Sequence, residues 1–259
     1  EDAITMAMTP EFGKNLTIVG QLVHNPQINE SLKNNGVSLV NNIDDIHRIK
    51  TKKVMITAHG AAQKTKDKLE AAGFTVYDAS CPLVMRVHKT IQSMVIKGYF
   101  PVVIGQQDHV EVKGIVGDLK EYLVISGEND IEKIEKSKKR KLGIVSQTTL
   151  QVEKVEDLVR KIRGKDYVDE VFFVNTRCQP TRDRQIAVRD LAEQVDLMIV
   201  IGGYNSSNTK KLVQVCDEKN IEAHHIESFS QLEKNWFYKK NHVGITAGTS
   251  TPEHVINEA

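Results

Sequence analysis

Short apolar runs rich in β-branched residues recur at 16–20, 37–40, 53–57 and 74–78, each separated from the next by a polar or helix-patterned stretch. That alternation predicts parallel strands joined by crossover helices. An amphipathic stretch from about Leu83 to Lys97, closed by Gly98, follows the fourth run and predicts a helix. The unit then repeats. Runs at 100–105, 122–126, 142–146 and 171–175 precede a helical pattern through Ile186, Val188, Leu191 and Val195. A third series at 197–203, 222–226 and 242–248 stops one strand short of the count. The expected fold is α/β, with three pseudo-repeated lobes of about four mostly parallel strands and flanking helices, at 1–98, 99–195 and 196–259. The helical opening, 1 to about 9, stands where the helix after a twelfth strand should stand. That strand, ending in a third cysteine, is expected upstream of Glu1.

Equivalent strands run into equivalent chemistry. First strands lead to His24-Asn25, to Gly105 and His109, and to Gly202-Gly203 with Ser206, Ser207 and Asn208. Third strands lead to His59-Gly60, to Gln147-Thr148-Thr149, and to Gly248 with Ser250. Small residues plus short polar clusters let a backbone approach a phosphate. Fourth strands lead to Cys81-Pro82 and to Cys178-Gln179-Pro180. Ligands of parallel sheets bind beyond the carboxyl ends of the strands, so these sets should face one side of each lobe.

The matched positions single out Cys81 and Cys178 from Cys216, which lies within a helical pattern and reads as packing. Each precedes a proline and a helix, whose N-terminal dipole favours a thiolate, the metal-binding form. Two thiolates and an upstream third suit a cubane iron-sulfur cluster. Zinc competes in principle, but the chain has neither Cys-x-x-Cys nor His-Glu-x-x-His. His24, His59 and His109 each follow a strand that ends in an apolar run, the first and last after first strands and His59 after a third, and together they can hold a diphosphate. The other six histidines lie outside that register and read as structural or surface groups. Glu111, two residues after His109, would ordinarily be a solvated first-turn acid. Beside a hydroxyl relay such as Thr148, it becomes a proton donor for a leaving hydroxide.

Charge narrows the partners. With 35 basic and 34 acidic side chains the formal charge is +1, so no global field recruits nucleic acid or an anionic membrane. No apolar run reaches the roughly 20 residues of a membrane span. Three widely spaced cysteines suit a reducing compartment, either the cytoplasm or, if a transit peptide preceded the chain, a plastid. The basic run Lys136 to Lys141 reads as a solvated turn, with docking of an acidic electron carrier as its alternative.

These residues, in their order, resemble the 4-hydroxy-3-methylbut-2-enyl diphosphate reductases over nearly the whole chain. The motifs are His24-Asn25-Pro26, Ala58-His59-Gly60, Asp78-Ala79-Ser80-Cys81-Pro82, His109-Val110-Glu111, Gln147-Thr148-Thr149, Asn175-Thr176-Arg177-Cys178, Asn205-Ser206-Ser207-Asn208 and Thr246-Ala247-Gly248 through Pro252. Departures stand beside them, at Ser80, Gln106, Val110, Pro180 and Thr249. The resemblance implies three lobes around a central cavity and one 4Fe-4S cluster, held by Cys81, Cys178 and a cysteine upstream of Glu1. It implies a two-electron reductive dehydroxylation to isopentenyl and dimethylallyl diphosphate, with Glu111 and Thr148 delivering protons. It also implies a diphosphate clamp of His24, His59, His109, Ser206, Ser207, Asn208 and Ser250, and a ferredoxin or flavodoxin as electron donor. The competing expectation is a cluster-free diphosphate-binding protein.

Overall fold

The structure is a computed structural model that describes residues 2–20, 26–40 and 43–258. First in the chain come α1 (Asp2–Ala7), β1 (Leu16–Val19), α2 (Pro26–Asn34), β2 (Ser38–Val40), β3 (Lys53–Ile56), α3 (Gln63–Ala71) and β4 (Thr75–Asp78). Next are α4 (Pro82–Ile96), β5 (Phe100–Ile104), α5 (Val110–Val116), β6 (Leu123–Ile125), α6 (Glu132–Ser137), β7 (Lys141–Ser146), α7 (Val152–Arg163) and β8 (Glu170–Phe173). The chain continues through α8 (Gln179–Leu191), β9 (Leu197–Ile201), α9 (Ser207–Glu218), β10 (Ala223–Ile226), β11 (Val243–Ala247) and α10 (Glu253–Glu258).

Every strand among the described residues falls on one of the apolar runs, or within a residue of it. They form three sheets ordered β2-β1-β3-β4, β6-β5-β7-β8 and β10-β9-β11, all parallel. The topology is the same each time, so the repeat read from the pattern is a repeat in space. Parallel strands end nearly level: Val19 lies opposite Ile56, Ile56 opposite Asp78, Ile104 opposite Ser146, and Ile201 opposite Ala247. Within each sheet the following loops therefore leave along one edge.

The interior strands β5 and β9 are apolar throughout because both faces are covered. Val102, Val103 and Ile104 of β5 and all five residues of β9 are buried. Helices show one apolar stripe; on α7 it is Val155, Leu158, Val159 and Ile162, the spacing of one helix face. The described residues divide into two compact units, one mainly the chain up to Arg177 and one from Cys178 onward. The larger holds both four-stranded sheets, and α4, which joins them along the chain, packs in the second sheet's layer. It begins just past β4, yet Val87, Ile91 and Met94 pack with Val103, Val112, Ile115 and Val145 of the second sheet's layer. Its closeness is allowed by Gly143 in β7, where a Cβ would stand 2.9 Å from that of Met94. Among the described residues no helix is long and apolar enough to cross a membrane.

Candidate functional site

In the larger unit the loops after β3, β4, β5 and β7 carry the chemistry. β5 ends at Ile104 and turns into α5, whose N-cap is His109: its Nδ1 accepts the Glu111 amide N–H at 3.1 Å. An accepting Nδ1 carries no proton, so a neutral His109 is protonated at Nε2. The His59 ring, from the turn after β3, stands 6.0 Å from the His109 ring at 72°. Two glycines bring them together. Gly60 adopts φ +76°, and a Cβ at Gly114 of α5 would lie 3.3 Å from the Gly60 carbonyl oxygen, so backbone packs on backbone.

Glu111 is only 2% exposed. Its Oε1 accepts the Thr148 amide N–H at 2.7 Å and its Oε2 accepts the Thr148 hydroxyl at 2.9 Å. Burial pushes the carboxyl up to about 7, against these two bonds, which favour the ionised form. Burial thus favours the protonated form, which can donate. The loop that carries Thr148 is itself braced, since Gln147 accepts the Gln106 amide at 3.1 Å and donates to the Thr149 hydroxyl at 3.1 Å.

The two cysteines end matching turns. Asp78 Oδ1 accepts the Ser80 amide at 2.9 Å, and Asn175 Oδ1 accepts the Arg177 amide at 3.2 Å. Each is an acceptor two residues upstream of its donor, an Asx-turn, and each donor directly precedes a cysteine. Cys81 (φ −57°, ψ 133°) and Cys178 (φ −70°, ψ 123°) are then the N-caps of α4 and α8. Both thiols are free and half-buried. Beneath the first turn, the largely buried Lys66 pairs with Asp78 Oδ2 at 2.5 Å. Beneath the second, the Thr176 hydroxyl donates to the Ser146 carbonyl at 2.7 Å and accepts the Ser146 amide at 3.0 Å, extending the β7–β8 contact past its last strand residue. Sequence reading missed Lys66, Asn175 and Thr176 as supports; the Asx residue two positions ahead was the available signal.

The smaller unit contributes hydroxyls and amides at the ends of β9 and β11. Ser206 N-caps α9, its Oγ accepting the Thr209 amide at 3.2 Å. Asn208 is buried, and neither its Oδ1 nor its Nδ2 has a partner among the described residues. Leaving such an amide unpaired costs about 1–3 kcal/mol; a polar ligand would satisfy it. Ser207 and Ser250 are half-buried. The two loops interlock at Gly202 (φ +152°), where a Cβ would come within 2.5 Å of Thr209 Oγ1 and 2.9 Å of Thr251 Oγ1. Gly248 is equally tight against Thr209. Gly248→Ala should therefore lose about 1–3 kcal/mol to overpacking. Adding Thr209→Ala, which removes the clashing hydroxyl, should recover most of it in a thermal unfolding cycle; purely additive losses would refute the clash.

His24 lies outside the described residues. Among the histidines set aside, His225 Nε2 donates to the Gly202 carbonyl at 2.8 Å, and His224 stacks on Trp236 at 3.8 Å. Cys216 is fully buried, and burial pushes its thiol up to about 11. No three His, Cys, Asp or Glu side chains among the described residues gather as a metal site. The donors that remain are two free thiols, each at a helix N-terminus, which is soft-ligand chemistry suited to iron-sulfur and poor for a carboxylate-bound ion.

The family model described as LytB protein matches residues 1–259. A 4-hydroxy-3-methylbut-2-enyl diphosphate reductase of Neisseria meningitidis serogroup C is 34% identical over 257 residues, 96% of this chain and 77% of that protein. The reductase of the same name from Geotalea uraniireducens is 37% identical over 246 residues, covering 95% of this chain and 85% of that one. The solved E-1-hydroxy-2-methyl-but-2-enyl-4-diphosphate reductase of Plasmodium falciparum aligns with a TM-score of 0.89 at 26% identity, over 99% of this chain and 80% of its own. A second solved structure, described as (E)-4-hydroxy-3-methyl-but-2-enyl diphosphate reductase, the terminal enzyme of the non-mevalonate pathway, aligns at 0.71 with 35% identity, over 99% and 90%.

Proposed function

The chain belongs to the LytB protein family, and from that membership we propose that it removes the hydroxyl of 4-hydroxy-3-methylbut-2-enyl diphosphate to give isopentenyl and dimethylallyl diphosphate. It is an oxidoreductase of isoprenoid biosynthesis, in a family that depends on iron-sulfur chemistry. The observation that carries the reading is the buried Glu111–Thr148 pair, with its carboxyl pushed up to about 7.

The net change is C–OH plus two electrons and two protons to C–H plus water. A 4Fe-4S cluster held by Cys81, Cys178 and a further cysteine outside this chain would supply the electrons. The chain's own residues handle the diphosphate and the protons. His59 and His109 present ring N–H groups to an anion, while Ser206, Ser207, Ser250 and the unpaired amide of Asn208 offer further hydrogen bonds; His24 completes the proposed clamp. An acid works best when its pKa lies near the working pH, which Glu111 meets. When Glu111 is protonated, its O–H turns toward Thr148 Oγ1, and the Thr148 hydroxyl is released to donate onward. Threonine can do both because its hydroxyl is donor and acceptor at once. The electron donor in this reading is a ferredoxin or flavodoxin.

The test is anaerobic loading with iron and sulfide of the protein in a form that includes the further cysteine, followed by supply of the diphosphate alcohol and a strong one-electron reductant. Formation of both five-carbon diphosphates is expected, with about four irons per chain. A colourless protein that binds the diphosphate without turnover would establish the cluster-free binding module instead.

A further inference from the structure

One face of α4 carries a groove lined by cations. Its exposed cations Arg86, Lys89 and Lys97 line a groove whose opposite wall is Phe172 and Val174, at and just past the end of β8. Phe172 is 36% exposed, and Lys97 Nζ stands 5.6 Å from its ring centroid. Among the described residues no carboxylate pairs with Arg86 or Lys89. The basic run after α6 is the contrasting case: Lys136 pairs with Glu132, Lys139 with Glu121, Arg140 with Asp169 and Lys141 with Glu170. Most of that run's charge is answered from within the chain. The charge on α4 is not.

The groove also begins at Pro82, the residue after Cys81. We propose that this face of α4 docks the acidic protein that delivers electrons, a small one-electron carrier with a carboxylate-rich surface. The inference rests on the reductase reading and places its partner. An apolar strip rimmed by unpaired cations gives the two things such an encounter needs: long-range attraction for speed, and a dry centre for a brief stop. Each docked carrier gives up one electron and leaves oxidised. Two visits, with two protons, turn C–OH into C–H and water. The helix under the carrier is the one that Cys81 caps, so the docking face and the proposed cluster ligand belong to a single rigid element.

The experiment uses the cluster-loaded protein and an acidic 2Fe-2S ferredoxin as probe. Binding is measured by calorimetry at low salt and at about 0.2 M salt, where exposed charges are screened beyond roughly 8 Å. Turnover is measured in parallel with reduced methyl viologen, a small reductant that needs no docking face. Reversing Arg86→Glu with Lys89→Glu should weaken ferredoxin binding about tenfold or more and flatten its salt dependence, while viologen-driven turnover stays at the wild-type level. Reversing Lys136→Glu with Lys138→Glu should change neither. Unaltered binding in the α4 variant, or an equal loss in the control, overturns the proposal. A wild type that shows the expected binding pattern but no viologen-driven turnover keeps the docking face and refutes the reductase reading.

Discussion

Glu111→Gln is expected to retain the fold, the iron and the diphosphate affinity while turnover falls by about 10²–10⁴, the usual worth of a positioned general acid. Glutamine matches the shape of the protonated acid. It still accepts the Thr148 amide, and its NH₂ donates to the Thr148 hydroxyl, which can accept as well as donate. What it lacks is a transferable proton. The wild-type turnover should decline as pH rises through about 7, where burial leaves the carboxyl. The same group marks stability. Its folded value lies above the ordinary 4.5, so the stabilisation is complete below about 4.5 and is lost as pH rises through about 7. The loss is on the order of 3 kcal/mol. Denaturation midpoints across that window should slope downward for the wild type and run flat for the variant. A variant with near-normal turnover would remove Glu111 from the reaction, and parallel stability curves would remove the buried acid.

Cys178→Ser and Cys81→Ser should each bring iron content and turnover to background, with circular dichroism unchanged. Serine keeps the turn, because the Asx acceptors Asp78 and Asn175 and the helix start do not depend on sulfur. It does not keep a thiolate, and a soft cluster has no use for a hydroxyl that stays protonated. Cys216→Ala supplies the control. That thiol sits in the core with Val188, Leu212 and Val215, so its loss should cost about 1 kcal/mol of stability and leave the iron intact. Full iron in either serine variant would sink the ligand assignment.

The difference between these cysteines was legible in the chain as written. Strand ends recur in register, and position in a repeat separates a thiol in a turn from one inside α9. The strands were legible for the same reason: a parallel strand covered on both faces must be apolar along its length, as β5 and β9 are. The state of Glu111 was not legible. In sequence it is a first-turn acid of a short helix, an ordinary solvated position. Only the close passage of α5 and the β7 loop, 37 residues further on, buries it. Lys66 is similar, since its helix reads as polar, yet the side chain is buried and paired with Asp78. The basic run read as a solvated turn, and its acidic partners were hidden because Asp169 and Glu170 lie about thirty residues away at the start of β8.

The passage of α4 from one sheet's end into the next sheet's core bears on how the molecule comes apart. Counted along the chain there are three repeats, but counted by cooperative opening the first two are one. The helix that leaves the first sheet's last strand puts Val87, Ile91 and Met94 into the second sheet's core, and Gly114 of α5 packs on the Gly60 carbonyl of the first sheet's loop, so opening of either sheet is expected to disturb the other. Backbone amides of β3 and β7 should therefore exchange with solvent at a common slow rate set by whole-unit opening. Cys81 caps that same helix, so its thiol is anchored on an element whose buried face lies in the second sheet's core.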